Sequence, residues 1–269
     1  MPELPEVETV RRSLVPIVGH RIDRAEVIES RLRRPVAPNF SRRLAGRVIQ
    51  AIDRRGKYLL FRLSDNEVLL CHLGMSGALL LQPAGTPLAL HDHVRLHLSA
   101  QQQLTFNDPR RFGLLRVGRE KALTELRNVG PDPLSDGFSV ADLTRLTRGR
   151  KKPVKNLLMD QTVLAGIGNI YANEILFRAG IRPSRPARRL TRAEIARLLD
   201  ATRAVLTSAI ELGGSSISDY RDGDGRPGYF QLRLTVYDRA GQPCPQCGKS
   251  VRRAVHAGRS SFYCPSCQR

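Results

Sequence analysis

Two Cys-x-x-Cys pairs near the C-terminus constrain the fold of this chain more than any other sequence feature. They read Cys244-Pro-Gln-Cys247 and Cys264-Pro-Ser-Cys267, with 16 residues between them. Each pair offers two thiolates from one turn, so the two pairs supply the four ligands of a tetrahedral zinc site. The hairpin between them is too small for a core of its own and would be held together by the metal. We predict one structural Zn²⁺ with no open coordination position for catalysis.

The charge of the chain indicates a polyanionic partner. Lys and Arg number 44 against 25 Asp and Glu, which gives a formal net charge of +19 and a pI of about 10.9. Nucleic acid is the first candidate and an anionic membrane surface the rival, while a charged surface can also serve solubility alone. No apolar run approaches the roughly 18 residues of a membrane span, and the acidic N-terminus is unlike a signal peptide. We expect a cytoplasmic protein with no membrane partner.

Short apolar runs separated by turn residues fill the chain from about residue 20 to 118. The runs are RVIQAID, KYLLFRL, EVLLCHL, ALLLQ, VRLHLS, QLTF and LLRV. Turn signals such as Ser64-Asp65-Asn66 and Asn107-Asp108-Pro109 lie between them. This pattern is typical of an antiparallel sandwich or barrel.

The periodicity becomes helical after the breaker stretch at residues 130–134, GPDPL. Apolar spacing predicts helices, which cover residues 139–148, 153–161, 169–179 and 191–212. Thr191 and Glu194 form a capping box for the last helix, and Gly213 and Gly214 end it. We interpret the Gly-, Ser- and Asp-rich residues 213–228 as a mobile loop and the following YFQLRLTVY as a strand.

The length and composition allow two cores and a small appendix, because 41% of the 269 residues are hydrophobic. We predict an α+β, multidomain fold. The predicted domains are a β-rich N-terminal domain at residues 1–130, a helical domain at 131–235 and the zinc hairpin at 236–269.

The N-terminus, MPELPEVETV, is acidic in a strongly basic chain. Apolar spacing predicts a short helix over residues 6–15, and the helix dipole favours acids at its start. Stabilisation of the helix start is therefore an alternative explanation for Glu3, Glu6 and Glu8. Removal of the start methionine before a small residue would also leave Pro2 with a free secondary amine, which is a nucleophile.

A glycine-rich turn, Gly166-Ile167-Gly168-Asn169, precedes the third predicted helix. As evidence for a dinucleotide site it is weak, because no third glycine or preceding parallel strand completes that pattern. A helix-turn-helix explains the turn better, with backbone N–H groups that hold a phosphate and Asn169 as the N-cap. A plain N-cap without a ligand is the alternative.

Three stretches in the β-rich half do not resemble strand or core. Lys57 begins a strand in RRGKY, Met75 stands between glycines in HLGMSG, and DPRRFG combines arginines with an aromatic residue. Met and Phe side chains at loop tips are suited to insertion into a base stack. Ordinary loop packing is the alternative for each of them.

Together these motifs resemble the bacterial formamidopyrimidine-DNA glycosylases along essentially the whole chain. The matching stretches are MPELPEVETV, RGKYLL, HLGMSG, DPRRFG, GIGNIYANEILF, the GYF-containing loop end and the CPQC and CPSC pairs of the finger. The resemblance implies an N-terminal antiparallel β-sandwich with an N-terminal helix, a helical helix-two-turn-helix domain and a four-cysteine zinc-finger β-hairpin. It also implies a bifunctional glycosylase and AP lyase that removes oxidised purines, 8-oxoguanine and formamidopyrimidines, from double-stranded DNA. We expect a monomer.

The resemblance implies that Pro2, once Met1 is removed, attacks C1′ of the damaged nucleotide and forms an imine. A β,δ-elimination then cuts the strand on both sides of the lesion. An N-terminal amine has a reference pKa of roughly 7.7 to 8.0, so it is partly unprotonated at neutral pH. Glu3 resembles the general acid or base beside it, and Glu6 a residue that orients the N-terminus. A chain that retains Met1 would be inactive.

Other residues match DNA-binding positions of the family. The residues that match phosphate-binding positions around the extruded nucleotide are Lys57, His72, Asn169 and Arg259. We also expect Lys57 and Arg259 to be catalytic. Those that match hole-filling positions are Met75, Arg110 and Phe112, with Arg110 pairing with the orphaned cytosine. His91 matches a further DNA contact, and Lys155 and the loop from Ser216 to Tyr229 match lesion-recognition elements.

Two residues depart from the family pattern, and two alternatives stay open. Arg95 stands where an acid is expected, and Asp238 where glycine is common. A related glycosylase for oxidised pyrimidines would share the fold, although its members lack the HLGMSG and DPRRFG pair. A non-catalytic zinc-containing DNA-binding protein would share the charge and the finger, but it would have no need for Pro2 and Glu3 at a free N-terminus.

Overall fold

The structure is a computed structural model and describes residues 1–216 and 222–269. The chain forms two compact units. Unit 1 comprises Met1–Arg127 with Leu212–Gln231, and unit 2 comprises Asn128–Glu211 with Leu232–Arg269. The three-domain division with boundaries after residues 130 and 235 stays a prediction.

In its described residues, unit 1 begins with a helix and continues as eight strands. Its helices are α1, Leu4–Ser13, and the short α2, Phe40–Leu44. Its strands are β1, Ile22–Val27; β2, Ile49–Arg55; β3, Tyr58–Leu63; β4, Val68–His72; β5, Ala78–Pro83; β6, Asp92–Leu98; β7, Gln102–Asn107; and β8, Leu114–Gly118. Each run predicted as a strand forms one. Strand β1 was not among those runs, because a register shift between Ile22 and Arg24 breaks its apolar alternation.

The strands form two antiparallel sheets with a shared core. One sheet has the order β1-β6-β7-β5 and the other β2-β3-β4-β8. Alternate residues of β3, such as Leu59 and Phe61, point into the core between the sheets. Leu60 points the other way and packs against Leu123 and Leu126. The predicted β-sandwich is confirmed. Its core forms because successive residues of each strand point to opposite faces of the sheet.

Helix α1 packs its apolar side against this core and begins two residues before the predicted start. Val7 and Val10 are buried, as the helical spacing predicts. Arg11 Nη1 donates to the backbone oxygen of Ile52 in β2 at 3.3 Å. These contacts fix the start of the chain to the sheet that carries β2.

Unit 2 contains four helices and a hairpin. The helices are α3, Val140–Thr147; α4, Val154–Leu158; α5, Asn169–Ala179; and α6, Arg192–Glu211. All four were predicted, although α4 ends three residues early. The capping box of α6 is present, since Thr191 N donates to Glu194 Oε2 at 2.8 Å and Glu194 N to Thr191 Oγ1 at 3.3 Å. No helix in the described part of the chain combines the length and apolar character of a membrane span.

The C-terminal hairpin of unit 2 consists of β9, Arg252–His256, and β10, Arg259–Tyr263, which pair antiparallel. Ala257 and Gly258 connect them with φ angles of +48° and +73°. Two successive positive φ values are characteristic of the tight hairpin turn whose twist matches that of the strands. Arg259 therefore stands directly after the turn.

The strand predicted for YFQLRLTVY was wrong. Its first part forms a 3₁₀ helix, Phe230–Arg233. The backbone N–H groups of residues 235–237 then donate to one carboxylate, that of Glu174 in α5, at 2.8–3.0 Å. The Glu174 carboxylate thus binds the backbone N–H groups that a neighbouring strand would otherwise bind. Because Glu174 lies about sixty residues earlier in the chain, the local sequence could not reveal this partner.

Candidate active site and nucleic-acid interface

The predicted site residues are divided between the two units. Those in unit 1 are Pro2, Glu3, Lys57, His72, Met75, His91, Arg110 and Phe112. Those in unit 2 are Lys155, Asn169, Arg259 and the cysteines Cys244, Cys247, Cys264 and Cys267.

The N-terminal residues are buried and tightly held. Pro2 is buried beside the exposed Met1, and Glu3, the N-cap of α1, is only 3% exposed. The backbone N–H of Glu3 donates to Glu6 Oε2 at 2.7 Å. The other oxygen of the same carboxylate accepts from the backbone N–H of Ser215 at 2.8 Å. Glu6 thus joins the residue after Pro2 to the segment that follows α6.

A glycine makes this contact possible. Gly214 has a φ of +81°, and a Cβ on it would lie 2.9 Å from Cγ and Oε1 of Glu6. The sequence pointed to Gly214 only as a helix terminator. Its second role, close approach to Glu6, depends on residues more than two hundred positions apart.

Glu8 lies at the centre of an arginine cluster. Its carboxylate accepts from Arg11, Arg12 and Arg54 at 2.8–3.0 Å. Burial alone would raise the pKa of Glu8, but hydrogen bonds from these guanidinium groups outweigh it and lower the pKa to about 2. Glu8 therefore does more than stabilise the start of the helix. Through its ion pair with Arg54 it also connects α1 to β2.

His72 and Lys57 lie together at the ends of neighbouring strands. Lys57 is 6% exposed and stands in the turn before β3, while His72 ends β4. Burial lowers the pKa of His72 to about 4, and the nearby cations Lys57 and Arg33 add to the effect. Gly74 N donates to His72 Nδ1 at 3.0 Å, so the neutral ring carries its proton on Nε2. His72 is thus a neutral Nε2–H donor at physiological pH.

Two neighbouring loops present the predicted hole-filling residues to solvent. Met75 is 40% exposed and Phe112 is 45% exposed. The guanidinium carbon of Arg110 lies 4.8 Å from the centre of the Phe112 ring. Stacking of this kind pre-orients the arginine, and the attraction between guanidinium and ring strengthens when the pair is desolvated.

His91 precedes β6 in an unusual backbone conformation. Its φ is +72°, which a non-glycine residue rarely adopts. Its backbone oxygen accepts from Asp108 N at 3.1 Å. Asp108 appeared in the sequence only as a turn residue.

In unit 2, Asn169 is the first residue of α5, and Gly168 is the N-cap, so the predicted N-cap role of Asn169 was wrong. Its side-chain oxygen has no hydrogen-bond partner among the described residues. Gln161 braces the turn before the helix, because its amide donates to Ile167 O at 2.7 Å and accepts from Gly166 N at 2.8 Å. Sequence reasoning missed Gln161, since an isolated glutamine carries no pattern.

Two buried side chains tie the helices of unit 2 to the hairpin. Lys155 in α4 is 1% exposed, and its ammonium donates to Ser260 O at 2.6 Å and Ser261 Oγ at 2.9 Å. Asn173 in α5 donates to Asn169 O at 2.6 Å and accepts from Phe262 N at 2.8 Å. The positions of Asn169 and of strand β10, which begins with Arg259, are therefore coupled. The lesion-recognition role of Lys155 stays a prediction.

The predicted lesion-recognition loop is described only in part, since residues 217–221 lie outside the described residues. Its later part packs on unit 1. Gly223 N donates to Ser13 Oγ at 3.0 Å, and Leu81 N donates to Gly223 O at 2.9 Å. Gly228 N donates to Ser216 Oγ at 2.8 Å.

The four paired cysteines are arranged as a metal site. Their Sγ atoms lie within 4.8 Å of one another, with Cys244 to Cys267 at 3.9 Å and Cys247 to Cys264 at 3.5 Å. A tetrahedral zinc with bonds of about 2.3 Å requires sulfur–sulfur distances of about 3.8 Å, so the four residues fit this ion. Burial opposes ionisation of Cys264, but backbone N–H groups of the same knuckle outweigh it and lower its pKa. The predicted structural Zn²⁺ site is confirmed.

The two departures from the family pattern have different structural settings. Asp238 has a φ of +59°, a conformation that favours glycine and that Asp tolerates better than most residues. Arg95 is 7% exposed and lies 3.8 Å from Asp92, with Nε and Nη2 lacking hydrogen-bond partners among the described residues. Nothing in the structure explains why an arginine stands there.

Three family models match the chain in sequence order. Residues 1–115 match the formamidopyrimidine-DNA glycosylase N-terminal domain, and residues 129–221 match the H2TH domain of the same enzymes. Residues 241–269 match a zinc finger found in FPG and IleRS. The order of these matches is that of the β-sandwich, the helices and the cysteine hairpin.

Curated relatives and solved structures match over their full length. Formamidopyrimidine-DNA glycosylases of Alkalilimnicola ehrlichii and Syntrophotalea carbinolica are each 48% identical, with 100% of both chains covered. The MutM (Fpg) protein of Thermus thermophilus is 46% identical with a TM-score of 0.88, over 99% of this chain and 98% of that one. Lactococcus lactis Fpg in complex with abasic-site DNA is 37% identical with a TM-score of 0.90, over 99% of both chains. By its folded units, its zinc site and its full-length identity, this chain belongs to the formamidopyrimidine-DNA glycosylase family.

Proposed function

We propose that this protein is a bifunctional DNA glycosylase and AP lyase of base-excision repair that removes oxidised purines from double-stranded DNA. The observation that carries the proposal is the N-terminus, where Pro2 and Glu3 are buried and Glu6 holds the backbone beside them. A protein that only binds DNA would use the Glu3–Glu6 hydrogen bond merely to cap α1 and would have no need for a nucleophile at residue 2. We expect the enzyme to act as a monomer in the cytoplasm, where chromosomal DNA is its substrate.

The first step requires removal of Met1. In the Met1–Pro2 peptide bond the proline nitrogen has no free lone pair, whereas the released secondary amine does. The amine attacks C1′ of the damaged nucleotide, the N–C1′ bond forms, and the bond from C1′ to the base breaks. Opening of the sugar ring then gives a cationic imine, because a secondary amine cannot form a neutral one.

Glu3 is the proposed acid and base of the reaction. As an acid it protonates the sugar ring oxygen when the ring opens, and as a base it accepts protons during elimination. The β-elimination breaks the bond to the 3′ phosphate and the δ-elimination the bond to the 5′ phosphate. Glu6 keeps the backbone of Glu3 in place through the 2.7 Å hydrogen bond to its N–H group.

The phosphate contacts are assigned to side chains with suitable donors. Lys57 and Arg259 contribute positive charge, and His72 contributes its neutral Nε2–H. Asn169 contributes an amide at the start of α5, where the helix dipole favours anions. These groups would hold the backbone on either side of the extruded nucleotide.

Hole-filling is assigned to Met75, Arg110 and Phe112. Extrusion of a nucleotide costs a few kcal/mol in lost stacking and pairing, and apolar wedges offset part of this cost. The stacked pair of Arg110 and Phe112 is suited to insertion as a unit, since the arginine can meet the orphaned cytosine while the ring replaces the lost stacking.

The decisive experiment is borohydride trapping on a duplex with 8-oxoguanine opposite cytosine, after the N-terminus has been verified by mass. We expect a covalent complex with the chain that begins at Pro2. The complex should be lost in a chain that retains Met1, whose proline nitrogen is an amide, and it should persist in Pro16→Gly, which changes an exposed proline of unit 1. Pro2→Gly keeps a free amine, so it tests the need for proline and not the need for an N-terminal amine. Tight, salt-sensitive binding without any covalent complex from a free Pro2 would instead make the protein a non-catalytic DNA binder.

A further inference from the structure

We propose that Asp108 is a positioning residue that holds three DNA-contact loops of unit 1 in one arrangement. Loop A is residues 73–77 and carries Met75; loop B is residues 108–113 and carries Arg110 and Phe112; loop C is residues 84–91 and ends at His91. The inference rests on the proposed function, because these loops act together only if they enter DNA. Asp108 itself is 0% exposed, so it acts through the residues that it holds.

The carboxylate of Asp108 joins loop A to loop B. Its Oδ1 accepts from Ser76 Oγ in loop A at 2.7 Å, and its Oδ2 accepts from Gly113 N in loop B at 2.7 Å. Arg110 N lies 3.3 Å from Ser76 Oγ and 3.4 Å from Asp108 Oδ1, so this N–H group is shared between the two loops. A single buried carboxylate therefore fixes both ends of loop B and the tip of loop A.

The backbone of Asp108 joins the same centre to loop C. Its N–H group donates to His91 O at 3.1 Å, and its oxygen accepts from His93 Nε2 at 2.7 Å. A further hydrogen bond joins the residues next to Asp108 and His91, since Asn107 Nδ2 donates to Asp92 Oδ1 at 2.8 Å. Loop C thus ends at a residue whose position is set by loop B.

Each loop is held in a conformation that it would not adopt alone. The φ angles of His91 and Arg111 are +72° and +55°. Non-glycine residues at such angles are strained and persist only where the surroundings determine them. In loop A, Gly74 has a φ of +66° and approaches the Phe112 backbone so closely that a Cβ would lie 2.4 Å from its carbonyl carbon. The hydrogen bonds of Asp108 are what oppose relaxation of this arrangement.

The consequence concerns the order of events on DNA. Loops with a fixed spacing can enter the duplex together, whereas uncoupled loops must be ordered one by one as they enter. Loss of the Asp108 connections should therefore slow base extrusion and leave the chemistry at Pro2 unchanged once the nucleotide is in place. A residue that only stabilised the fold would lower both.

The test uses Ser76→Ala, Asp108→Asn and the double variant in the full-length, zinc-loaded protein that begins at Pro2. Base unstacking is followed by stopped-flow fluorescence of 2-aminopurine beside the cytosine opposite 8-oxoguanine. Borohydride trapping on a duplex with a preformed abasic site reports chemistry without a base to extrude. Glu67→Gln is the matched control, since it changes a largely buried carboxylate that is ion-paired with Arg43 and lies at the opposite end of β4 from loop A.

We expect Ser76→Ala to slow unstacking about fivefold, the equivalent of one hydrogen bond of about 1 kcal/mol, and Asp108→Asn to slow it tenfold or more. Ser76→Ala should add less in the Asp108→Asn background than in the parent, because a neutral amide binds the Ser76 hydroxyl more weakly than the carboxylate does. Trapping on the abasic duplex should stay within about twofold of the parent. Unstacking at the parental rate in Asp108→Asn, or additive effects in the double variant, would overturn the inference.

Failure of the proposed function has a different signature. A parent protein that unstacks the duplex but forms no covalent complex on either substrate removes the assigned chemistry and leaves the comparison of unstacking rates among the variants. A parent that produces no unstacking refutes the role of the three loops, and the Asp108 inference with it.

Discussion

Glu8 accepts hydrogen bonds from three arginines, and its lowered pKa couples the stability of unit 1 to pH. In the folded chain its pKa is about 2, below the ordinary value of 4.5. The unfolded state therefore binds the proton first as the pH falls. The stabilisation of unit 1 by ionised Glu8 is complete above about pH 4.5 and is lost as the pH falls from there to about 2. After allowance for solvent screening, the pKa shift corresponds to at most about 3 kcal/mol of unfolding free energy.

We predict that Glu8→Gln lowers the free energy of unfolding at pH 7 by about 1–3 kcal/mol, because three guanidinium groups lose their counter-ion. The variant should also lose less stability than the parent between pH 4.5 and pH 2. Urea unfolding at a series of pH values measures both effects. Glu26→Gln is the control, as it changes a partly exposed acid paired with His97. Equal acid sensitivity in Glu8→Gln and the parent would contradict the assignment.

A comparison of substitutions at Gly74 and Gly46 separates backbone strain from steric clash. Both have positive φ angles, +66° and +79°, but a Cβ on Gly46 would meet no atom within 4 Å, whereas a Cβ on Gly74 would meet the Phe112 backbone. We predict that Gly46→Ala costs about 1 kcal/mol of stability and leaves DNA binding unchanged. Gly74→Ala should cost more and also weaken binding to lesion DNA at least tenfold. Thermal unfolding measures the stability of the two variants, and fluorescence anisotropy measures their DNA binding. Equal effects of the two substitutions would refute the steric clash at Gly74.

At the scale of elements, the zinc hairpin has only a small core, which it shares with Phe177 of α5, so its stability depends on the metal. We predict that Cys247→Ser releases zinc and unfolds β9 and β10, because structural zinc supplies roughly 10–16 kcal/mol in small modules of this kind. Loss of β10 also removes the fixed position of Arg259, so DNA affinity should fall. Zinc content, hydrogen exchange of residues 252–263 and DNA affinity are the measurements. Gln246→Ala, in the same exposed turn, should change none of them, and full DNA affinity in Cys247→Ser would contradict the role of the finger.

Elements with a strong local signal were predicted well, and those stabilised by distant groups were not. Helix α6 has a capping box, a clear apolar stripe and a glycine stop, so its bounds were predicted to within one residue. The segment YFQLRLTVY has the apolar residues of a strand, but Glu174 in α5 binds the backbone at its end. A carboxylate on another element can thus outweigh the intrinsic preference of a short stretch.

At the scale of the whole molecule, the net charge of +19 should dominate DNA affinity. We predict that the logarithm of the association constant falls linearly with the logarithm of the salt concentration, with a slope of about −0.9 for each phosphate neutralised. Arg259→Ala should reduce the magnitude of the slope by about 0.9. Arg145→Ala removes the same charge from an exposed ion pair on α3 and should leave the slope unchanged. A flat salt dependence of the parent would contradict the phosphate contacts.

The sequence by itself determined the zinc ligands, the strand runs, the helices and the identity of Pro2 and Glu3 as the reactive residues to test. The zinc ligands, strand runs and helices depend on spacing within one segment, where the geometry of a turn, strand or helix is known in advance. The roles of Pro2 and Glu3 were instead implied by the resemblance of the N-terminal motif to the family. Only the tertiary structure decided which partners these residues have, such as Ser215 for Glu6 and Ser76 for Asp108. The physical reason is that a hydrogen bond across the fold leaves no periodic trace in the sequence, and a pKa such as that of His72 is set by burial and neighbouring charge, which only the folded chain creates.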